Sequence, residues 1–151
     1  MVHLVYCDDK SKELAKILAG EKTMIIRGAA GRKIPHSRVF AGDTLYFMEK
    51  GSLQISASAT VVAVENFVKL TDTQIDQIIF DRQPQLQLTP AQQERWHKKC
   101  LCLVAFDQVK PITPPLPFDH QNNMDDWIIL DKIADAVVGT STPYSYEKAK
   151  L

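Results

Sequence analysis

The sequence has no apolar run near the ~18 residues that a membrane-crossing helix requires. It also has no net charge, because eighteen Lys and Arg balance eighteen Asp and Glu. The first absence predicts no membrane partner. The second removes any global attraction to a polyanion, so a nucleic acid would have to be held by a local patch. Cysteine is scarce: Cys7, Cys100 and Cys102 are odd in number, and the C-x-C pair is neither a C-x-x-C redox motif nor half of a usual zinc site. His3, His36, His97 and His120 are scattered without ligand spacing, so neither a metal nor another cofactor is expected. Buried thiols in a reducing compartment fit this usage. The first segment, MVHLVYCDDK, is polar by its eighth residue, too early for the apolar region of a secretion signal, and a cytoplasmic protein is expected. GAAGR lacks the G-K-[ST] ending of a phosphate-binding loop.

What is present is a folding composition with segregated charge. The 151 residues are 45% hydrophobic and 24% charged, which suits one soluble domain of ordinary size. Lys22, Arg27, Arg32, Lys33 and Arg38 follow one another with no acid between them. From Asp119 to Asp135 the balance reverses, with five Asp and only Lys132.

The pattern along the chain predicts a mixed fold. HLVYC, 3–7, reads as a strand. Leu14, Ile17 and Leu18 then fall at helical spacing, Asp or Ser residues offer an N-cap, and Gly20 sits where a left-handed C-cap belongs. TMIIR, 23–27, reads as a second strand, and 28–38 as a basic loop. A Gly42-Asp43 turn introduces the strand TLYFME, and a Lys50-Gly51 turn leads to 53–67, long enough for one bent strand or two. An antiparallel meander is the result. Thr71-x-x-Gln74 and Thr89-Pro90-x-Gln92 have the capping-box form and predict two helices. CLCLVAFDQV, 100–109, suits a central strand. PITPPLPF, 111–118, must be extended. Trp127, Leu130, Ile133 and Val137 lie near one stripe and predict a C-terminal helix over 127–138, followed by a loose tail.

GEKTMIIR, 20–27, resembles the G-x-K-x-x-E-x-R signature of the ASCH domains, a branch of the PUA-like superfamily, with Gly20, Lys22 and Arg27 on the G, K and R. The preceding ILAG and the later strand ending in FMEKG are similar to the same family, and the resemblance covers roughly residues 3–109. It implies an α+β fold, a PUA-like, mostly antiparallel pseudo-β-barrel flanked by helices, with a cleft into which the K and R positions point. Residues 1–151 would then form one domain, with 111–151 a proline-rich segment and C-terminal helical addition. The family is associated with RNA or nucleotide metabolism. Some of its small members resemble amidohydrolases of acetylated cytidine that use the motif lysine as base and a threonine at the E position. Here that position is Ile25, which has neither carboxylate nor hydroxyl, so catalysis is not expected.

An RNA or a nucleotide is therefore the expected partner, in a cleft lined by Lys22 and Arg27. Arg32, Lys33, His36 and Arg38 would supply phosphate contacts. Of the neighbours Tyr46 and Phe47 one must face inward, and Tyr46 is the candidate for stacking on a base. Arginine suits bidentate phosphate or base contacts. The plainer reading of the same residues is an Arg27–carboxylate pair of the fold beside a solvated loop. If the protein is an enzyme, acting on a modified nucleoside or cleaving RNA, the candidates are Lys22, Thr23 and Glu49, with Glu65 a further acid. A third reading is a protein-interaction domain whose acidic C-terminal stretch docks on the basic loop. Trp96 and Trp127 read as packing residues.

Overall fold

A computed structural model describes residues 1–121, 126–145 and 147. Its strands are β1 (Val2–Cys7), β2 (Met24–Ala29), β3 (Thr44–Glu49), β4 (Gln54–Phe67), β5 (Cys100–Pro117) and β6 (Trp127–Leu130). The helices are α1 (Glu13–Leu18), α2 (Asp72–Leu86) and α3 (Pro90–Arg95), with a 3-10 turn at Ile133–Ala136.

The strands form one sheet in the order β2-β5-β4-β3-β1-β6. β3 and β4 make the expected antiparallel pair, β5 adds to β4 antiparallel, β1 joins β3 in parallel, and β6 closes on β1 antiparallel. Register shifts along β3/β4 and β4/β5 bend these long strands, as bulges do, and the sheet curls into a half-barrel. The prolines of 111–117 are tolerated because β2 pairs with β5 only over Cys100–Ala105. Beyond that stretch β5 is an edge, where a missing N–H costs no ladder bond.

Strand alternation sorts the side chains into an inner and an outer layer. Val5, Ile25, Phe47, Val104, Phe106, Trp127 and Ile129 fill the interior, joined by Ile17 of α1. Outside, Ile26, Leu101 and Leu103 receive Ile75, Ile78, Ile79 and Leu86 of α2. On the far side Leu4, Met48, Ile128 and Leu130 pack with Phe118 and Ala136. Both capping boxes are formed as the sequence predicts. Gly20, at φ 76°, follows the C-cap of α1 in the left-handed conformation that lacks a penalty only for glycine.

Two local expectations are corrected. Residues 127–130 are not helical: Trp127 and Ile129 go into the barrel while Ile128 and Leu130 go out, so a run apolar on both faces has become a strand, and only 133–136 wind into a turn. The N-cap of α1 is Lys12 with no side-chain cap. Asp8 instead accepts from the backbone N–H groups of Lys10 and Ser11, closing the turn before the helix. The loose tail predicted for the last dozen residues falls partly on 146 and 148–151, outside the described residues.

His3 ties the interior to the β3 turn. Its Nδ1 accepts from Trp127 Nε1 at 3.0 Å, and its Nε2 lies 2.9 Å from Asp43 Oδ2. The indole can only donate, so the ring is the neutral Nε2–H tautomer. Burial holds its pKa below the ordinary 6.5 against the opposing pull of Asp43. As pH falls through 6.5 the unfolded chain therefore takes up a proton that the folded chain refuses, and stability declines. His3→Asn is expected to be less stable than wild type at about pH 7.5 and to lose less on going to about pH 5.5, read from thermal midpoints. Parallel curves would show that His3 does not drive the acid limb.

Candidate functional site

β2 and β6 are the two edges of the curled sheet, and the slot between them is organised around Arg27. It alternates with Ile25 on the inward face of β2, an unusual place for a guanidinium. Its Nη1 donates to the carbonyl of Ile26 and its Nη2 to that of Tyr6 on β1, both at 2.8 Å. The Arg27 guanidinium lies 5.2 Å from the ring centre of Trp96 and 6.0 Å from that of Trp127, within cation–π range. Trp96 is approached by a second guanidinium, that of Arg95, at 4.6 Å. Both indoles are buried packing residues, as read from the sequence, and both also wall the slot.

The carboxylate facing Arg27 belongs to Glu13, at the start of α1. Glu13 is 4% exposed and its Oε1 stands 4.0 Å from Arg27 Nη2. Its Oε2 accepts from Gln92 Nε2 at 3.2 Å and from the backbone N–H of Asp8 at 3.4 Å. Gln92 is held in turn by the α3 capping box, where its Oε1 accepts from the Thr89 N–H at 3.1 Å. The cap thus places a polar arm in the slot as well as starting a helix. Glu13 and Gln92 were not among the sequence candidates. The signal for Glu13 was present: it lies one turn before Ile17, on the apolar stripe of α1, and a charge there is bound for the interior.

Lys22 is 2% exposed and stands behind this pair. Its Nζ donates to the carbonyl of Leu86, and Lys16 Nζ reaches the carbonyl of Gln87 at 3.3 Å. Both amines thus satisfy the C-terminal end of α2, where cations are favoured. The helix terminus that holds Lys22 is therefore that of α2, far along the chain, and not the end of α1. Burial lowers the Lys22 pKa to about 8, with Glu13 pulling it up and Arg27 pushing it down. Burial also pushes the thiol of Cys7 up, with Glu13 adding to the effect, and raises that of Cys102 to about 12. Neither is a thiolate nucleophile at neutral pH.

The other sequence candidates are dispersed. Lys33 lines the slot, and Arg32 is exposed beside it in the same loop. His36 is buried, with Nδ1 2.7 Å from Ser37 Oγ and Nε2 3.1 Å from the Phe67 carbonyl, so it fastens the loop to β4. Arg38 is half-buried. Tyr46 packs on the outer face with Leu4 and Met48, and Phe47 takes the inward place against Phe106 at 5.3 Å; the structure does not bring Tyr46 to Arg27. Thr23 is exposed and precedes the pleat of β2, so it shares neither the environment of buried Ile25 nor that of Lys22. Glu49 pairs in register with Cys7 at the end of β3. Glu65 is held by Arg82 through two 2.8 Å hydrogen bonds, which draw its pKa down. Lys22, Thr23 and Glu49 do not form a cluster.

The slot has two compartments that share Arg27, Arg95, Trp96 and Asp126. One, of about 100 Å³, is lined by Glu13 and Gln92. The other, of about 300 Å³, opens between Lys33 and Lys98. Arg95 bridges to Asp126 at 2.6 Å. The acidic stretch is thus tied to α3 at this point, and residues 122–125, including Asp125, lie outside the described residues. Among the described residues no His, Cys, Asp and Glu cluster suits a metal, and no helix is long and apolar enough to cross a membrane.

Comparison with solved structures finds the same fold in an ASCH protein. The ASCH protein of Zymomonas mobilis superposes with a TM-score of 0.62 at 14% identity, over 87% of this chain and 88% of that one. A tyrosine-to-phenylalanine variant of the same protein gives 0.64 at 14% identity, over 87% and 91%. A serine-to-alanine variant gives 0.63 at 14%, over 87% and 89%. The fold of this chain is that of these ASCH structures, as the signature over 20–27 implied. No family model matches the sequence, and no curated protein matches it.

Proposed function

We propose that the slot around Arg27 binds RNA or a nucleotide derived from it. The observation that carries this reading is a buried guanidinium, walled by two indoles, at the floor of a slot whose outer compartment is rimmed by Lys33 and Lys98. Arginine and aromatic faces together recognise stacked bases, and the lysines add backbone charge contacts. In an uncharged protein this local patch supplies the attraction. Arg32 and Arg38 lie on the same loop as Lys33, Lys22 contributes positive charge from behind Glu13, and His36 holds that loop.

The test is a titration of short single-stranded RNAs and mononucleotides at low and moderate salt. Arg27→Met is expected to weaken binding by about 10-fold, the value of one charge-assisted hydrogen bond. Neutralising Lys33, Lys98 and Arg32 together is expected to leave the folded protein intact. It should reduce the slope of log affinity against log salt by about 2, at roughly 0.7 per phosphate contact. An unchanged slope would remove the rim from the reading, and full affinity in Arg27→Met would remove the slot. Following nucleoside products in the same tubes tests hydrolysis directly.

A further inference from the structure

Two buried atoms of the slot have no hydrogen-bond partner among the described residues: Glu13 Oε1 and Arg27 Nε. Buried polar groups are almost always satisfied, and the exceptions in native proteins call for a reason. The rest of each side chain is occupied. Glu13 Oε2 serves Gln92 and Asp8, and Arg27 Nη1 and Nη2 serve two backbone carbonyls. What is left over is one acceptor beside one donor. The pair does not satisfy itself: the closest approach between Arg27 Nη2 and Glu13 Oε1 is 4.0 Å, beyond hydrogen-bond length. Both residues line the compartment of about 100 Å³.

We infer that Glu13 and Arg27 together read the edge of a six-membered heteroaromatic ring that carries an N–H next to an acceptor atom. The N–H donates to Glu13 Oε1, and the neighbouring acceptor receives Arg27 Nε–H. This rests on the nucleotide reading of the slot and names the part of the ligand that enters it. A dry protein cavity of about 150 Å³ holds one benzene, so the smaller compartment of about 100 Å³ takes in the edge of one ring and not a whole base. The sugar and phosphate then lie in the larger compartment, near Lys33, Lys98 and Arg95. A uracil edge offers a ring N–H beside a carbonyl, and a cytosine edge offers an amino group beside a ring nitrogen. Both supply the same donor and acceptor pair. Because an ionised carboxylate can only accept and a guanidinium can only donate, the site rejects a ring whose donor has been blocked.

Calorimetric titration separates the possibilities. Uridine and cytidine monophosphates are compared with their counterparts fully methylated at the donor nitrogen, and with ribose phosphate as the control lacking a base. At least one parent is expected to bind, and to exceed its methylated form by at least about 10-fold, since a site built around a hydrogen bond discriminates strongly against its loss. The parent that does so identifies the base. Glu13→Gln, checked for an unchanged circular dichroism spectrum, is expected to shrink that ratio. Equal affinity for parent and methylated forms would overturn the inference while leaving nucleotide binding in place. If no nucleotide binds at either salt concentration, both the inference and the reading beneath it fail. Ribose phosphate binding as tightly as the parents would also overturn the inference.

Discussion

Glu13→Ala is expected to destabilise the protein by about 3–5 kcal/mol, the cost of removing one partner from a buried charge group. The carboxylate is 4% exposed and is the compensating charge for two buried cations. Arg27 lies 4.0 Å away, and Lys22 is coupled to Glu13 strongly enough that the carboxylate is the main influence raising the lysine pKa. Without it, Lys22 and Arg27 remain as like charges that disfavour one another, and Gln92 Nε2 loses its acceptor. The control is the same substitution in a Lys22→Met background. There only one cation is stranded, so Glu13→Ala is expected to cost at least about 1 kcal/mol less. Urea unfolding of the four proteins gives the cycle. Additivity within about 0.5 kcal/mol would show that Glu13 and Lys22 act independently.

The same three residues bear on the sequence signature. In G-x-K-x-x-E-x-R the acid would fall at residue 25, on the inward face of β2 between the lysine and the arginine. Here Ile25 is fully buried in the apolar interior with Val5, Phe47 and Val104, and a carboxylate there would have no polar neighbour on those side chains. The carboxylate beside Arg27 comes instead from α1, twelve positions before Ile25 in the sequence. A chain can thus keep an acid next to the lysine and arginine of this slot while losing it from the motif, because the first residue of α1, Glu13, reaches to 4.0 Å from Arg27.

Elements fixed by local chemistry were legible in the sequence. The capping boxes at Thr71 and Thr89, the left-handed Gly20 and the antiparallel turn from β3 to β4 each depend on neighbouring residues. What escaped depended on contacts between distant segments. WIIL suits a strand or a buried helix equally until β1 is placed beside it, as Val5 against Trp127 and His3 against Ile129. The parity of β3 could not say which of Tyr46 and Phe47 faces inward until the parallel pairing with β1 was known. His36 read as a phosphate ligand from its basic neighbours, whereas its ring is engaged by Phe67, 31 residues away. Arg27 and Lys22 were found because the motif marked them. Gln92 was visible only as a capping residue, since nothing in one chain segment shows that its amide will reach another helix.

Lys22 gives the second large effect, and its sign is opposite to that of an ordinary surface lysine. Its pKa is about 8 in the folded protein against 10.5 ordinarily. Between those values the unfolded chain holds a proton that the folded chain has released, so raising the pH through this window stabilises the fold. From about pH 7.5 to pH 9.5 the gain is about 2 kcal/mol, of a limiting ~3 kcal/mol for a shift of this size. Cys7 and Cys102 work in the other direction, because burial keeps them protonated after the unfolded thiols have ionised. The measurement is therefore a difference between wild type and Lys22→Met, which share both cysteines. Lys22→Met, close in length and able to lie in the same apolar surroundings, removes the titrating amine but leaves the Leu86 carbonyl without its donor. Its urea midpoint is expected to gain less than that of wild type over the two pH values, by the equivalent of about 2 kcal/mol. Identical pH dependence in the two proteins would mean that Lys22 keeps an ordinary pKa, and that the end of α2 and Glu13 together hold its charge as well as water does.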